Sequence, residues 1–77
     1  MRNSDFQTRF GMMLAELGYT QKDFSKISGL TEAAICRYLD GSRVPNLNSL
    51  VIISDVTNVS PNWLIGYGED GNMEKFK

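Results

Sequence analysis

The sequence predicts an all-α fold in which five short helices form one bundle. Along most of the chain, apolar residues recur at intervals of three and four, which is the period of an α-helix. Helix-capping residues and glycines separate these stretches, and no segment shows the alternating pattern of a β-strand. Because a chain of 77 residues can bury only about 60% of its unfolded surface, we expect a single core.

The first helix is predicted over residues 6–17. Ser4 or Asp5 can cap its start, and Gly18 marks its end. The residues predicted to face the core are Phe6, Phe10, Met13, Leu14 and Leu17.

A tight turn is predicted between the second and third helices. Thr20 and Asp23 have the spacing of a capping box, with Asp in place of the usual Glu or Gln, and mark the start of the second helix. Phe24 and Ile27 are expected on its inner side. Gly29 can take the positive φ that ends such a helix.

The third helix is predicted over residues 32–40, with Thr31 as its cap and Gly41 as its stop. Its apolar side carries Ile35, Tyr38 and Leu39. Its other side carries Glu32, Ala33, Cys36 and Arg37. This division predicts that one face packs and the other meets solvent or a partner.

Two further helices complete the domain. Asn46 can cap a fourth helix that runs to about Thr57, and Ser60 followed by Pro61 predicts the start of a short fifth helix. The predicted buried residues are Leu47, Leu50, Val51 and Ile53 of the fourth helix, and Trp63 and Leu64 of the fifth. The domain is predicted to span residues 1–66, followed by a flexible tail over 67–77.

Composition argues against several classes of function. The chain has no histidine, and Cys36 is its only cysteine, so we expect no internal disulfide, no zinc site and no cofactor. It has no nucleophile–base pair or phosphate-binding glycine loop, which argues against an enzyme. It also has no apolar run of roughly 18 residues and no secretory signal at its N-terminus, so we expect a cytoplasmic protein without membrane contact. No small-molecule ligand is evident.

The charge balance limits how the chain could bind nucleic acid. A net charge of -1 and a pI near 5.2 argue against indiscriminate binding to polyanions, which requires bulk positive charge. Any DNA contact must therefore come from locally placed residues.

The most informative segment is the helix–turn–helix pattern of about residues 20–40. Two capped helices joined without spare residues are compatible with a steep crossing that lets the second enter a major groove. From about Phe6 to Gly66 the sequence resembles the lambda-repressor/Cro-like, or XRE-type, helix-turn-helix family of bacteria and phages. The positions that carry the resemblance are Thr20-Gln21, Ser25, Gly29, Thr31, Ile35, Gly41, Arg43-Val44-Pro45, Leu50, Ile53, Val59-Ser60 and Trp63-Leu64-Ile65-Gly66.

The resemblance implies that the third helix reads base edges through Glu32, Ala33 and Arg37. Arg can donate two hydrogen bonds to guanine, Glu can accept one from cytosine, and an Ala methyl can touch thymine. The resemblance also implies DNA-backbone contacts, which set register without reading sequence. These contacts are assigned to Thr20, Gln21, Lys22, Thr31, Ser42, Arg43 and Asn46. Thr20 and Thr31 are helix caps in any case.

Some of these residues also have a purely structural interpretation. Glu32 lies in a first helical turn, where an acid stabilises the helix dipole whatever else it binds. Arg37 could be an ordinary surface arginine, although its place in the motif favours base contact. Lys22 and Lys26 share a helix face and can bind phosphate or simply be solvated.

The sequence departs from the family pattern at three positions. The family prefers leucine where this chain has Thr57, alanine where it has Ser54, and often glutamate where it has Leu39. The first two changes predict a softer core, and the third predicts an altered flank of the third helix.

The resemblance implies a transcriptional regulator, most simply a repressor that occupies a palindromic operator as a homodimer. Two recognition helices about 34 Å apart would meet successive major grooves, and we expect pairing in the segment from Asn58 to Tyr67. An antitoxin-like protein-interaction module on the same fold is the alternative, which the low pI keeps open. Salt-dependent DNA binding distinguishes the two.

Overall fold

Five helices make up most of the computed structural model, which describes residues 5–66. In chain order they are α1 (Phe6–Leu17), α2 (Gln21–Ser28), α3 (Glu32–Asp40), α4 (Leu47–Thr57) and α5 (Pro61–Leu64). The all-α fold class and the five predicted helices are thereby confirmed. The predicted tail, residues 67–77, lies outside the described residues. None of these five helices is long and apolar enough to cross a bilayer.

An aromatic cluster forms the centre of the core. The Phe10 ring stacks on Phe6, with centroids 5.1 Å apart, and meets Phe24 and Tyr38 edge-on at 5.6 and 5.9 Å. Stacked and edge-on pairs of this kind stabilise a core beyond the area they bury. Because these rings come from α1, α2 and α3, the cluster joins the first helix to both helices of the predicted helix–turn–helix.

Most predicted caps are present. The Asp23 N–H donates to Thr20 Oγ1 at 3.0 Å and the Thr20 N–H donates to the Asp23 carboxylate at 3.5 Å, which is the predicted capping box. Thr31, Asn46 and Ser60 cap α3, α4 and α5 by accepting hydrogen bonds from backbone N–H groups of the first turn. These bonds satisfy donors that a helix start leaves without partners.

The start of α1 differs from the prediction. Asp5 occupies the N-cap position, but its side chain makes no capping hydrogen bond. The carboxylate instead lies 3.5 Å from Nε of Arg9, one turn along the helix. Ser4, the other predicted cap, lies outside the described residues.

The predicted buried stripe of α4 was right for Ile53, which is buried, and for Leu50, which is partly buried against the core, but wrong for Leu47 and Val51. Leu47 is 80% exposed and Val51 is 57% exposed, whereas Ile53, Ser54 and Thr57 are buried. The buried face is therefore rotated toward two polar residues, which a search for apolar periodicity passes over. The Thr57 hydroxyl donates to the Ile53 carbonyl at 2.6 Å, so burial leaves it satisfied.

Ile27 of α2 is also more exposed than predicted. Its side chain is 45% exposed, while Phe24 on the same helix is fully buried. Since α2 has only eight residues, Phe24 supplies its contact with the core and Ile27 lies at the edge.

A buried arginine joins the two ends of the domain. Arg9 Nη1 donates to the Trp63 carbonyl at 2.9 Å, and the guanidinium lies 5.2 Å from the centre of the Trp63 ring. Burial of Trp63 confirms the prediction that it is a core residue. Val59 and Leu64 are buried too, so three apolar side chains of the segment predicted to pair with a second copy pack in the core of the domain.

Candidate nucleic-acid interface

Side-chain hydrogen bonds fix the turn between α2 and α3. Gly29 has a φ of +78°, and the Ser25 hydroxyl donates to the Leu30 carbonyl at 2.6 Å. The Ser28 hydroxyl donates to the Phe24 carbonyl at 2.6 Å and accepts from the Leu30 N–H at 3.1 Å. These hydrogen bonds therefore fix the backbone of the turn that leads into α3. Ser25 was noted only as a position of the family resemblance and a role for Ser28 was not predicted, although the Ser-x-x-Ser-Gly spacing was the available signal.

The two sides of α3 have opposite environments. Ile35 and Tyr38 are fully buried and Leu39 is partly buried against the core. The opposite side carries Glu32, Ala33, Cys36 and Arg37, all of them exposed. At 100° per residue these four side chains fall within one continuous face. The three residues predicted to contact bases therefore lie together on the outer face of one helix.

The C-terminal end of α3 is attached to α1. The Gln7 side-chain amide donates to the Leu39 carbonyl at 3.2 Å. Gly41, which ends α3 with a φ of +83°, lies so close that a Cβ there would be 2.5 Å from the Gln7 side-chain oxygen. Gln7 thus holds the end of the helix in place, a role that no periodicity or capping signal predicts.

The loop after α3 begins with a local hydrogen-bonded turn. The Ser42 N–H donates to the Asp40 carboxylate at 2.7 Å. Hydrogen bonds from Ser42 hold the pKa of Asp40 below its ordinary value of 3.8, and the positive charge of Arg37 lowers it further. Asp40 is therefore ionised near neutral pH, close to where the loop leaves the helix.

The residues predicted to contact the DNA backbone are all exposed and lie at helix starts or in the loop after α3. Gln21 and Lys22 are in the first turn of α2, and Ser42 and Arg43 are in the loop. The remaining three are the caps of α2, α3 and α4: Thr20, Thr31 and Asn46. Helix starts present backbone N–H groups that suit anions. At α2, however, the Asp23 carboxylate already sits beside the Thr20 N–H.

Positive charge is segregated to this part of the molecule. Among residues 5–66 the basic side chains other than the buried Arg9 all lie between positions 22 and 43, and each is exposed. They are Lys22, Lys26, Arg37 and Arg43. Three acids, Asp23, Glu32 and Asp40, are interspersed with them. A local concentration of cations thus exists despite a net charge of -1 for the whole chain.

Comparison with known proteins bears on the fold and on the family of this chain. No curated protein sequence matches the chain. A crystal structure of a transcriptional regulator from Listeria innocua superposes with a TM-score of 0.78 at 16% identity, over 90% of this chain and 64% of that one. At this identity the likeness shows the fold alone, and this chain spans less than two thirds of that protein. A sequence model described as "Helix-turn-helix" matches residues 12–64, which are 53 of the 77 residues. The chain belongs to the XRE-type helix-turn-helix family.

Proposed function

We propose that this chain is a sequence-specific regulator that binds double-stranded DNA with α3 in the major groove. The outer face of α3 carries the proposal. Arg37 on that face is exposed, and its charge acts on the neighbouring Asp40, while the opposite face is fixed in the core. The family match and the name of the Listeria innocua protein both favour a DNA-binding regulator over an enzyme.

Three of the exposed residues on this face can each contact a particular base. Arg37 donates to guanine O6 and N7, Glu32 accepts from the amino group of cytosine, and Ala33 contacts the methyl group of thymine. Arg37 carries most of the discrimination, because Glu32 also stabilises the start of α3.

Phosphate contacts hold α3 in register. Lys22, Arg43 and the N–H groups at the starts of α2 and α4 supply the donors, and Asn46 keeps its amide N–H₂ because only its oxygen serves as a cap. The three acids among the cations reduce the non-specific attraction to DNA, so base contacts decide where the protein binds.

We further propose that the protein acts as a repressor. A homodimer occupies a palindromic operator, and its presence at a promoter blocks polymerase. The two-fold symmetry of the DNA site then matches that of the protein.

The test is selection of bound DNA from a randomised duplex library, followed by affinity measurements on the selected site at two salt concentrations. We expect a palindromic motif in which Arg37→Ala costs about 1–3 kcal/mol at one base pair. Arg37→Lys is the matched control, because it keeps the charge and loses the two-pronged donor geometry. Arg43→Ala should weaken binding to all sequences and lower the salt slope by about one.

Absence of sequence enrichment, together with negligible binding at low salt, would refute the proposal. A protein-interaction module, which the acidic balance of the chain would suit, would then be the better account of this fold.

A further inference from the structure

The last residue of α3 is an acid that lies beside the residues proposed to contact bases. Asp40 is exposed and follows Arg37 by three residues and Ala33 by seven, a spacing that puts all three on the outer face of the helix. Glu32, at the other end of α3, lies about 12 Å away along the helix axis. A recognition helix contacts base edges with its first residues, so its last turn lies nearer to the DNA backbone. In the proposed complex, the Asp40 carboxylate therefore lies nearer to phosphates than to bases.

The Asp40 carboxylate occupies hydrogen-bond donors that a phosphate would otherwise use. It accepts the Ser42 N–H at 2.7 Å and also a hydrogen bond from the Ser42 side chain. Ser42 is exposed and is one of the residues predicted to contact the DNA backbone. Carboxylates and phosphates accept hydrogen bonds from the same N–H and O–H groups. A phosphate that binds Ser42 must therefore displace the carboxylate of the protein itself.

The same carboxylate acts on the arginine that is proposed to read bases. The positive charge of Arg37 contributes to lowering the pKa of Asp40, so the two side chains are close enough to interact. Both are exposed, and an exposed pair of this kind is weak enough for the arginine to exchange partners. A phosphate carries a negative charge that Asp40 repels, whereas the edge of a guanine base is uncharged. Asp40 therefore opposes contacts of Arg37 with phosphate more than it opposes contact with guanine.

We propose that Asp40 is a specificity-determining residue, which weakens phosphate contacts at the end of α3 and leaves the guanine contact of Arg37 intact. The inference rests on the proposed function, because it requires that α3 binds DNA. It assigns to one residue an effect that the other two acids of this region do not share. Asp23 completes the capping box of α2, and Glu32 lies in the first turn of α3, where an acid stabilises the helix.

Asp40→Asn tests the charge without removing the turn. The side-chain oxygen of an asparagine can accept the Ser42 N–H in the same way, so this variant keeps the local hydrogen bond and loses the negative charge. Asp55→Asn is the matched control, because it makes the same chemical change at an exposed acid of α4, outside positions 22–43 where the exposed cations lie. Both variants raise the net charge of -1 by one unit, so any difference between them reports the position of the charge.

The measurement is fluorescence anisotropy of two labelled duplexes, one with the selected site and one of unrelated sequence, at several salt concentrations. We expect Asp40→Asn to bind the unrelated duplex about two- to five-fold more tightly than the parent chain, the size of one exposed charge interaction, and to gain less on the selected site. The salt dependence of binding to the unrelated duplex should steepen by up to about one unit of slope. A loss of folded protein would lower the affinity, so misfolding cannot produce the expected gain.

Two further variants test how Asp40 acts. In an Arg37→Ala background, Asp40→Asn should raise the affinity for the unrelated duplex less than it does in the parent chain, because the arginine that it releases is absent. Asp40→Ala removes the charge and the acceptor for Ser42 together, so it should gain at least as much affinity as Asp40→Asn. A gain in Asp40→Ala without any gain in Asp40→Asn would mean that the turn controls binding, and it would overturn the role of the charge.

The outcomes separate this inference from the proposed function. If the parent chain selects a sequence and only Asp40→Asn narrows the difference between the selected and the unrelated duplex, both stand. If the parent chain selects a sequence but Asp40→Asn and Asp55→Asn change both affinities alike, the proposed function stands and the role of Asp40 is overturned. If no variant prefers a sequence, the proposed function fails. In that case tighter binding by Asp40→Asn than by Asp55→Asn still supports the effect of Asp40 on phosphate contacts, and equal binding overturns it.

Discussion

Two buried polar residues on α4 should respond in opposite directions when their hydroxyl groups are removed. Ser54 is 3% exposed, and its hydroxyl has no hydrogen-bond partner. Thr57 is also buried, but its hydroxyl donates to the Ile53 carbonyl at 2.6 Å and accepts from the Val59 N–H at 3.3 Å. The same chemical change therefore removes a desolvation cost at one site and two hydrogen bonds at the other.

The expected magnitudes follow from these environments. A buried hydroxyl without a partner costs about 1–3 kcal/mol, and alanine has a slightly higher helix propensity than serine, so Ser54→Ala should stabilise the fold by about 1–2 kcal/mol. For a domain of this size, that raises Tm by roughly 5–15 °C. Thr57→Val should cost about 1–3 kcal/mol, because it leaves the buried Val59 N–H without this acceptor.

Thermal and urea unfolding at low protein concentration would measure both effects without a contribution from association. The urea m-value should be the same in both variants, because neither change alters the surface exposed on unfolding. Shifts of the same sign in Ser54→Ala and Thr57→Val would refute this assignment of hydrogen bonds on α4.

Two further predictions concern the glycines and the loop after α3. Gly66→Ala should destabilise the fold by well over the roughly 1–2 kcal/mol that positive φ costs any alanine, since its Cβ would lie 2.8 Å from Cβ of Asp5. Gly18→Ala has a similar φ and nothing within 4 Å, so urea unfolding should show the smaller penalty alone, and equal penalties would contradict the close packing at Gly66. The pKa of Asp40 is lowered on folding. The stability that the Asp40 carboxylate contributes is therefore fully present above about pH 3.8 and is lost as the pH falls through the folded-state pKa. Asp40→Asn should therefore flatten the pH dependence of stability on the acid side, and an unchanged profile would contradict the Ser42 interaction.

The elements of this fold could be predicted because their signals are local. A cap three residues from its partner, as in Thr20 and Asp23, or a glycine at a helix end, as in Gly41, depends only on neighbouring residues. The outer face of α3 could be predicted for the same reason, since helical periodicity alone puts Arg37 and Ile35 on opposite sides of the helix.

The features that could not be predicted from the sequence depend on contacts between residues that are far apart along the chain. Gln7 and Leu39 are 32 residues apart, and Arg9 and Trp63 are 54 apart, so no window along the chain relates them. On α4, Leu47 and Val51 were wrongly assigned to the core, because the buried side of the helix includes the polar residues Ser54 and Thr57, whereas Leu47 and Val51 would complete a more apolar stripe.

The way α3 is held should allow its proposed recognition residues to change independently of the fold. Hydrogen bonds of Ser25 and Ser28 hold its start and a hydrogen bond of Gln7 holds its end, and none of these three residues lies on its outer face. Substitution of exposed residues away from caps usually alters stability by less than about 0.5 kcal/mol. A single base contact, in contrast, is worth about 1–3 kcal/mol of discrimination. Changes at Ala33 and Arg37 should therefore alter the preferred DNA sequence while leaving the unfolding free energy nearly constant, so that specificity and stability can be measured separately in the same variants.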